Sequence, residues 1–268
     1  MKVVLFCGGL GLRMREESTR LPKPMIPLGD RPILWHIMKY YSRFGCRDFI
    51  LCLGYKAEVI KEYFLDYKEA LSNDFVLRDG GRSIELLGSD THDWSMTFVN
   101  TGLNSTIGER LKAVEQYLDG EEIFLANYGD GLTDAPLGDM IETLAASDKT
   151  ALFLCVRPTY QFHVVSLGDG NGVEAIRDVA NADLWINGGF FVFRREIFDY
   201  LGPGEDLVDG AFSRLIGEDK VIAYPYEGFW APMDTLKDKQ TLETLLESGE
   251  PPWTRPRGLE RQASTPTG

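Results

Sequence analysis

Cysteine is scarce in this chain: four residues in 268, at positions 7, 46, 52 and 155, with no CxxC pair among them. Thiols so few and so far apart make neither a zinc-ligating cluster nor a disulfide framework, and they read as reduced core groups. Basic residues are also in deficit. Lys and Arg number 28 against 41 Asp and Glu, a formal net charge of −13, which argues against a protein that tracks a nucleic-acid backbone. No membrane span or secretory signal is evident at the start, because the apolar residues 1–8 are too few to cross a bilayer and lack a charged flank and a cleavage site. The expectation is a cytoplasmic protein with neither a nucleic-acid nor a membrane partner. No internal repeat or Gly/Ser linker divides the chain.

What is present is the composition of an ordinary globular protein, 44% hydrophobic and 26% charged, long enough to bury one large core. Residues 2–7 form a short apolar run ended by Gly8-Gly9, which reads as a buried strand. Residues 32–45 carry apolar groups at helical spacing, with Pro32 at the start and Gly45 just past the end. A second buried strand follows at 48–54 and a helical pattern at 56–70; residues 75–99 read as hairpin strands rather than another crossover. Helix at 108–118, strand at 122–127, helix at 137–147 and strand at 150–156 continue the alternation. This order predicts an α/β fold with a Rossmann-like, mostly parallel sheet, helices on both faces, a small antiparallel element and a helical C-terminal segment. Residues 1–253 read as one domain and 254–268 as a polar, mobile tail.

An acidic protein that handles phosphates must concentrate its cations locally or recruit a metal. Gly8-Gly9-Leu10-Gly11-Leu12-Arg13 follows the first strand, where glycines let backbone amides approach a polyphosphate and Arg13 can offset its charge. The spacing is not that of a Walker loop, and the dinucleotide fingerprint needs a glycine where Met14 stands, so a hydride-transferring enzyme fits poorly. In 22–27, PKPMIP, prolines flank Lys23 and present its ammonium with little conformational freedom; the alternative is a Pro-rich connector with a solvated lysine. In 128–131, YGDG, Asp130 lies just after a strand, at the carboxyl edge where open α/β sheets bind ligands. It is a candidate ligand for Mg²⁺, which takes one or two carboxylates plus substrate phosphates, and otherwise an Asp-Gly turn. Asp234 in 228–235, GFWAPMDT, is the candidate second carboxylate, with an N-cap as the alternative. Residues 101–112 place small polar groups and Gly108 at the mouth of a helix, as an anion or base contact or as a simple cap. Ile186-Asn187-Gly188-Gly189 suits sugar-hydroxyl contacts or a bulge.

Taken together, GGLGLR at 8–13, PKPM at 22–25, RPILWHIMKYYSRFG at 31–45, GYKAEVIKEYF at 54–64, STIGERLK at 105–112, YGDG at 128–131, INGGFF at 186–191 and GFWAPMDTLKDK at 228–239 resemble the sugar-1-phosphate nucleotidyltransferases, and within them the branch that joins CTP to glucose 1-phosphate. The resemblance implies Mg²⁺ dependence, release of pyrophosphate after in-line attack by the sugar phosphate on the α-phosphorus, and a homo-oligomer. It implies that Gly8, Gly9, Gly11 and Arg13 hold the triphosphate, that Arg13 and Lys23 offset charge at the reacting phosphates, and that Asp130 and Asp234 bind metal. Ser105, Gly108 and Arg110 would face the nucleotide, and Tyr128, Asn187 and Gly188 the sugar.

The chain departs from the family pattern at three places. Leu12 stands where the family has Thr or Ser, Asp178-Val179-Ala180 where it has Glu-Lys-Pro, and His163 where it has Gly. The lost lysine leaves the acceptor phosphate in need of another cation, for which Arg177 and Arg157 are the candidates, and His163 would enter the sugar pocket or contact a new substituent, with a surface or packing histidine as the alternative. Three readings follow: a cytidylyltransferase acting on glucose 1-phosphate, the same chemistry with another acceptor or with UTP or dTTP, and a catalytically silent nucleotide-binding subunit.

Overall fold

The computed structural model describes residues 1–9, 21–158, 162–179 and 182–259. Its first strand, β1 (Lys2–Phe6), is apolar and buried from Val3 onward because both of its faces are covered there. Helix α1 (Ile33–Arg43) follows, and it stops where the sequence says it should. Gly45 adopts a positive φ of 81°, its N–H donates to the Ser42 carbonyl, and the Cys46 N–H donates to that of Tyr41, the paired bonds of a Schellman stop. Strand β2 (Asp48–Leu53) then pairs parallel to β1, Lys2 opposite Asp48.

Alternate side chains of these strands feed two separate core layers. Val3, Leu5, Phe49 and Leu51 join α1 residues Leu34, Ile37, Met38 and Tyr41 in one. Val4, Phe6, Ile50 and Cys52 join Leu111, Val114 and Leu118 in the other. The sheet is therefore sandwiched between helices. All four cysteines are buried and unpaired.

After α2 (Ala57–Leu65), the stretch 75–99 departs from expectation. Only Phe75–Arg78 and Ser83–Leu86 form a hairpin; the next strand, β3 (Ser95–Asn100), lies parallel to β2 as the edge of the main sheet. Its polar–apolar alternation, which resembles a hairpin strand in sequence, reflects that half-exposed edge position. The chain continues through α3 (Ile107–Ala113), β4 (Ile123–Tyr128), the short β5 (Gly131–Thr133), α4 (Leu137–Ala145) and β6 (Ala151–Val156). A separate hairpin, β7 (His163–Leu167) with β8 (Val173–Asp178), is the small antiparallel element. Then come β9 (Ile186–Asn187), β10 (Phe191–Arg194), β11 (Val221–Tyr226), β12 (Trp230–Pro232) and α5 (Leu236–Glu247).

The eight-stranded sheet runs β11, β6, β9 with β10, β4, β1, β2, β3. Only β9 and β10 are antiparallel to their neighbours. They are two pieces of one interrupted strand beside β6, because β11 occupies all of the other side of β6. Beyond α5, Trp253 is fully buried, and Arg257 donates its backbone N–H to the Asp134 carbonyl at 2.9 Å and its guanidinium to the Asp134 carboxylate at 3.2 Å.

Trp253 also fixes an acid-sensitive element. His36, 6% exposed, bonds Leu28 O through Nε2 at 3.0 Å, and Trp253 Nε1–H donates to its Nδ1 at 3.4 Å. Both contacts suit a neutral ring that donates from Nε2 and accepts at Nδ1. Burial accordingly lowers its pKa from 6.5 to about 4. A depressed histidine leaves the unfolded chain binding the extra proton, so stability is lost as pH falls from about 6.5 towards 4, by about 3 kcal/mol in full. Thermal unfolding between pH 7 and 4.5 is expected to show this slope, and His36→Gln to flatten it. Identical slopes for the two proteins would refute the assignment.

Candidate active site

The site is built from turns at the carboxyl edge of the sheet. Pro22 and Pro24 bracket Lys23, and Lys23–Met25 forms one 3-10 turn closed by bonds from Met25 N to Pro22 O and from Ile26 N to Lys23 O. Pro24 and Met25 are buried, which anchors the loop and leaves the lysine side chain as its projecting group. The turn meets the YGDG segment at Gly129. A Cβ there would lie 2.9 Å from Pro24 Cγ and 3.2 Å from Phe6 O, so only glycine allows the approach.

That approach brings Lys23 Nζ to 2.6 Å from Asp130 Oδ2, and the same ammonium bonds Asp234. Residues 130 and 234 are joined across the chain by the β5–β12 ladder, in which Gly131 pairs with Pro232, and Met233 N donates to Asp130 O. Asp234 is not the cap of α5. Thr235 is, forming a capping box with Asp238, while the Asp234 carboxylate bonds the lysine. Lys23 is 12% exposed. Burial by itself would depress its pKa, but the two carboxylates outweigh burial and hold it above the ordinary lysine value. The sequence-predicted trio of Lys23, Asp130 and Asp234 is therefore one cluster.

The phosphate loop is described at its base only: Gly11, Arg13 and Leu12 lie outside the described residues. Among the described residues, nothing lies within 4 Å of where a Cβ on Gly9 would stand. Gly8 differs, because a Cβ on it would overlap the guanidinium of Arg110. Arg110, expected to face the nucleotide, is 2% exposed and lies beneath the loop instead. Its guanidinium donates to Thr101 Oγ1 at 2.8 Å, Gly102 O at 2.9 Å, and Gly8 O and Leu103 O at 3.2 Å. It staples the glycine turn to its neighbouring loop. Gly108 is likewise packed against protein: a Cβ would meet Glu205 O at 2.5 Å. The cap of α3 is Thr106, in a capping box with Glu109, and Ser105 Oγ donates to Thr101 O at 2.5 Å.

The acceptor candidates divide. Asn187 and Gly188 lead into the interruption between β9 and β10, where Gly189 and Phe190 both have positive φ, 74° and 50°. For phenylalanine that conformation costs roughly 1–3 kcal/mol. Asn127 Oδ1 supports it by accepting the Phe190 N–H at 3.1 Å. Tyr128 packs on this bulge, since a Cβ on Gly189 would lie 2.9 Å from its ring; burial raises its pKa to about 12 while its bond to Asn187 opposes the rise. Trp230 Nε1–H donates to Gly188 O at 2.8 Å, tying the bulge to β12. His163 and Arg177 are exposed on the separate β7–β8 hairpin, paired in register with Asp178 and Val164.

Three supports escaped sequence reading. Asn127 is hidden within an apolar strand, Trp230 in an aromatic run, and Asp134 in no motif at all. Asp134 accepts from Tyr226 OH at 2.5 Å and Phe229 N at 2.7 Å, and so holds the loop entering β12.

A lysine held between two carboxylates at the carboxyl edge of a mostly parallel sheet, beside a glycine turn, marks a phosphoryl-handling α/β enzyme. The chain belongs to the nucleotidyl transferase family, whose pattern its residues 2–235 match. It is 39% identical over 255 residues to the glucose-1-phosphate cytidylyltransferase of Salmonella typhimurium, covering 94% of this chain and 98% of that one. A Bacillus subtilis protein described as a probable glucose-1-phosphate cytidylyltransferase is 36% identical over 255 residues, 94% and 99% of the two chains. The fold matches that of UDP-glucose pyrophosphorylase in complex with UDP-glucose, with a TM-score of 0.67 at 16% identity over 92% of this chain and 98% of that chain. HddC from Yersinia pseudotuberculosis superposes with a TM-score of 0.63 at 19% identity, over 91% and 99%.

The packing of Gly108 gives a direct test. Gly108→Ala forces a methyl group against the Glu205 backbone, an overpacking cost of about 1–3 kcal/mol. Calorimetry is expected to show a Tm lower by about 3–10 °C with nucleotide affinity unchanged. An unchanged Tm with weakened nucleotide binding would restore Gly108 to the nucleotide contact.

Proposed function

We propose that the protein joins CTP and glucose 1-phosphate to give CDP-glucose and pyrophosphate, with Mg²⁺ required. The observation that carries the reading is the Lys23–Asp130–Asp234 cluster in a chain of this family. The choice of CTP and glucose 1-phosphate rests on relatives named for those substrates that match nearly the whole chain.

Asp130 and Asp234 fit a hard divalent cation. Both carboxylates converge on one point, the Lys23 ammonium, and no group of three His, Cys, Asp or Glu capable of holding a metal occurs among the described residues. Two carboxylates completed by substrate phosphates are what Mg²⁺ accepts. Bound there, it would neutralise charge on the triphosphate. The protein supplies alignment and a positive charge. Lys23, preorganised by its prolines, offsets charge as a phosphate oxygen of the acceptor bonds to the α-phosphorus and the bond to pyrophosphate breaks. No side-chain nucleophile is required.

The protein acts without a membrane span on this reading: no helix among the described residues is long and apolar enough to cross a membrane, and unpaired buried cysteines suit a reducing cytoplasm. We also propose a homo-oligomer. The hairpin at 75–86 aligns Phe75 with Leu86 and Leu77 with Ile84, all four exposed, an apolar face that a second copy would cover.

Pyrophosphate release tests the reading. CTP with glucose 1-phosphate is expected to support turnover that EDTA abolishes and excess Mg²⁺ restores, and Lys23→Ala to lower kcat by about a hundredfold or more. Preference for UTP or dTTP would overturn the base assignment. Equal, negligible turnover by the parent and Lys23→Ala with every donor and acceptor would identify a silent nucleotide-binding subunit. Light scattering on a sizing column is expected to give a multiple of the 30.2 kDa chain mass; a monomer at micromolar concentration would refute the oligomer.

A further inference from the structure

The acceptor brings a phosphate dianion next to a triphosphate, and Lys23 is already held by two carboxylates. A second cation is needed on the acceptor side. Arg157 directly follows β6 and Trp185 directly precedes β9, just past the last register pair, Val156 with Ile186. Two residues beyond Trp185 lies Asn187, beside Tyr128 and the Gly188 bulge. Two strand spacings, roughly 10 Å, separate β6 from β4, so Arg157 stands over the same carboxyl edge as Tyr128 and within a sugar phosphate's span of it.

The guanidinium lies 4.0 Å from the centroid of the Trp185 ring. Stacking of this kind fixes the plane of the group and leaves its N–H edge available for a bidentate anion. Its Nη1 donates to Ala182 O at 3.3 Å and Asp183 Oδ1 at 3.1 Å, and Nε lies 4.0 Å from Glu227. Those carboxylates are 94% and 76% exposed while Arg157 is 33% exposed. Pairs with such exposed partners are weak and exchange readily. Arg177, the other candidate, is exposed on the β7–β8 hairpin. Arg157 is attached through Ala182 to the turn that bears Val179, which is itself buried and bonded to Phe162 O.

We infer that Arg157, oriented by its stack on Trp185, is the acceptor-binding cation: it leaves Asp183 and Glu227 to grip the phosphate monoester of the incoming sugar. The inference rests on the proposed reaction and deepens it by assigning the residue that selects a phosphorylated acceptor.

The experiment varies CTP and glucose 1-phosphate separately in the pyrophosphate assay, for the parent, Arg157→Ala and Arg157→Lys. Loss of a charge-assisted contact is expected to raise the KM for glucose 1-phosphate tenfold or more in Arg157→Ala. The KM for CTP should stay within about twofold and the Tm within a few degrees, and Arg157→Lys should recover part of the loss. An unchanged acceptor KM in Arg157→Ala, or a parallel rise in both KM values with a fallen Tm, would overturn it. If the parent forms no pyrophosphate from these substrates, the proposed reaction itself has failed. The same proteins are then titrated calorimetrically with inorganic phosphate: binding lost only in Arg157→Ala upholds the phosphate site, and equal binding in all three, or none in the parent, refutes it.

Discussion

One ammonium between two carboxylates organises the working edge of this protein. Lys23, Asp130 and Asp234 come from three distant parts of the chain, and each arrives by a different local device: a proline-braced 3-10 turn, a glycine-flanked turn after a buried strand, and the residue before a capped helix. Without the lysine, two like charges would face each other in a part-buried setting with no cation between them. With it, the turns are held in one place, and the acids remain the kind of ligands that a magnesium–phosphate complex accepts.

Much of the surrounding structure serves that convergence. Gly129 matters for the side chain it lacks, since Pro24 occupies the space a Cβ would need. The β5–β12 ladder spans the roughly hundred residues between the two acids, and Asp134 beneath it fastens Tyr226, Phe229 and Arg257 at one carboxylate. Arg110 does comparable service for the glycine turn. A buried guanidinium with its N–H groups on backbone carbonyls makes the loop base rigid. The strained Phe190 and the amide of Asn127 give the bulge after Asn187 a similar rigid support.

Reading the sequence worked best where local chemistry decides the outcome. The Schellman stop at Gly45, the buried strands at 2–6, 48–53 and 123–128, and the βα alternation follow from glycine conformation and hydrophobic patterning within short windows. It worked less well where two local readings were equal. Ser95–Asn100 alternates like a hairpin strand and is an edge strand, because exposure of one side produces the same pattern in both. Gly108 and Arg110 sit in a motif that suits a nucleotide contact, and they hold protein to protein, because a motif records which residues cluster and not which way they face.

The sequence by itself determined the class of fold and singled out Lys23, Asp130 and Asp234 as the residues to watch, since each lies in a short segment whose chemistry is unusual. Tertiary structure alone decided that these three meet, that Thr235 rather than Asp234 caps the last helix, and that Arg157 is stacked on Trp185, next to β9. The physical reason is range. Backbone preference and side-chain period act over a few residues, whereas charge pairing and close packing join residues more than a hundred positions apart, and only the folded chain brings those together.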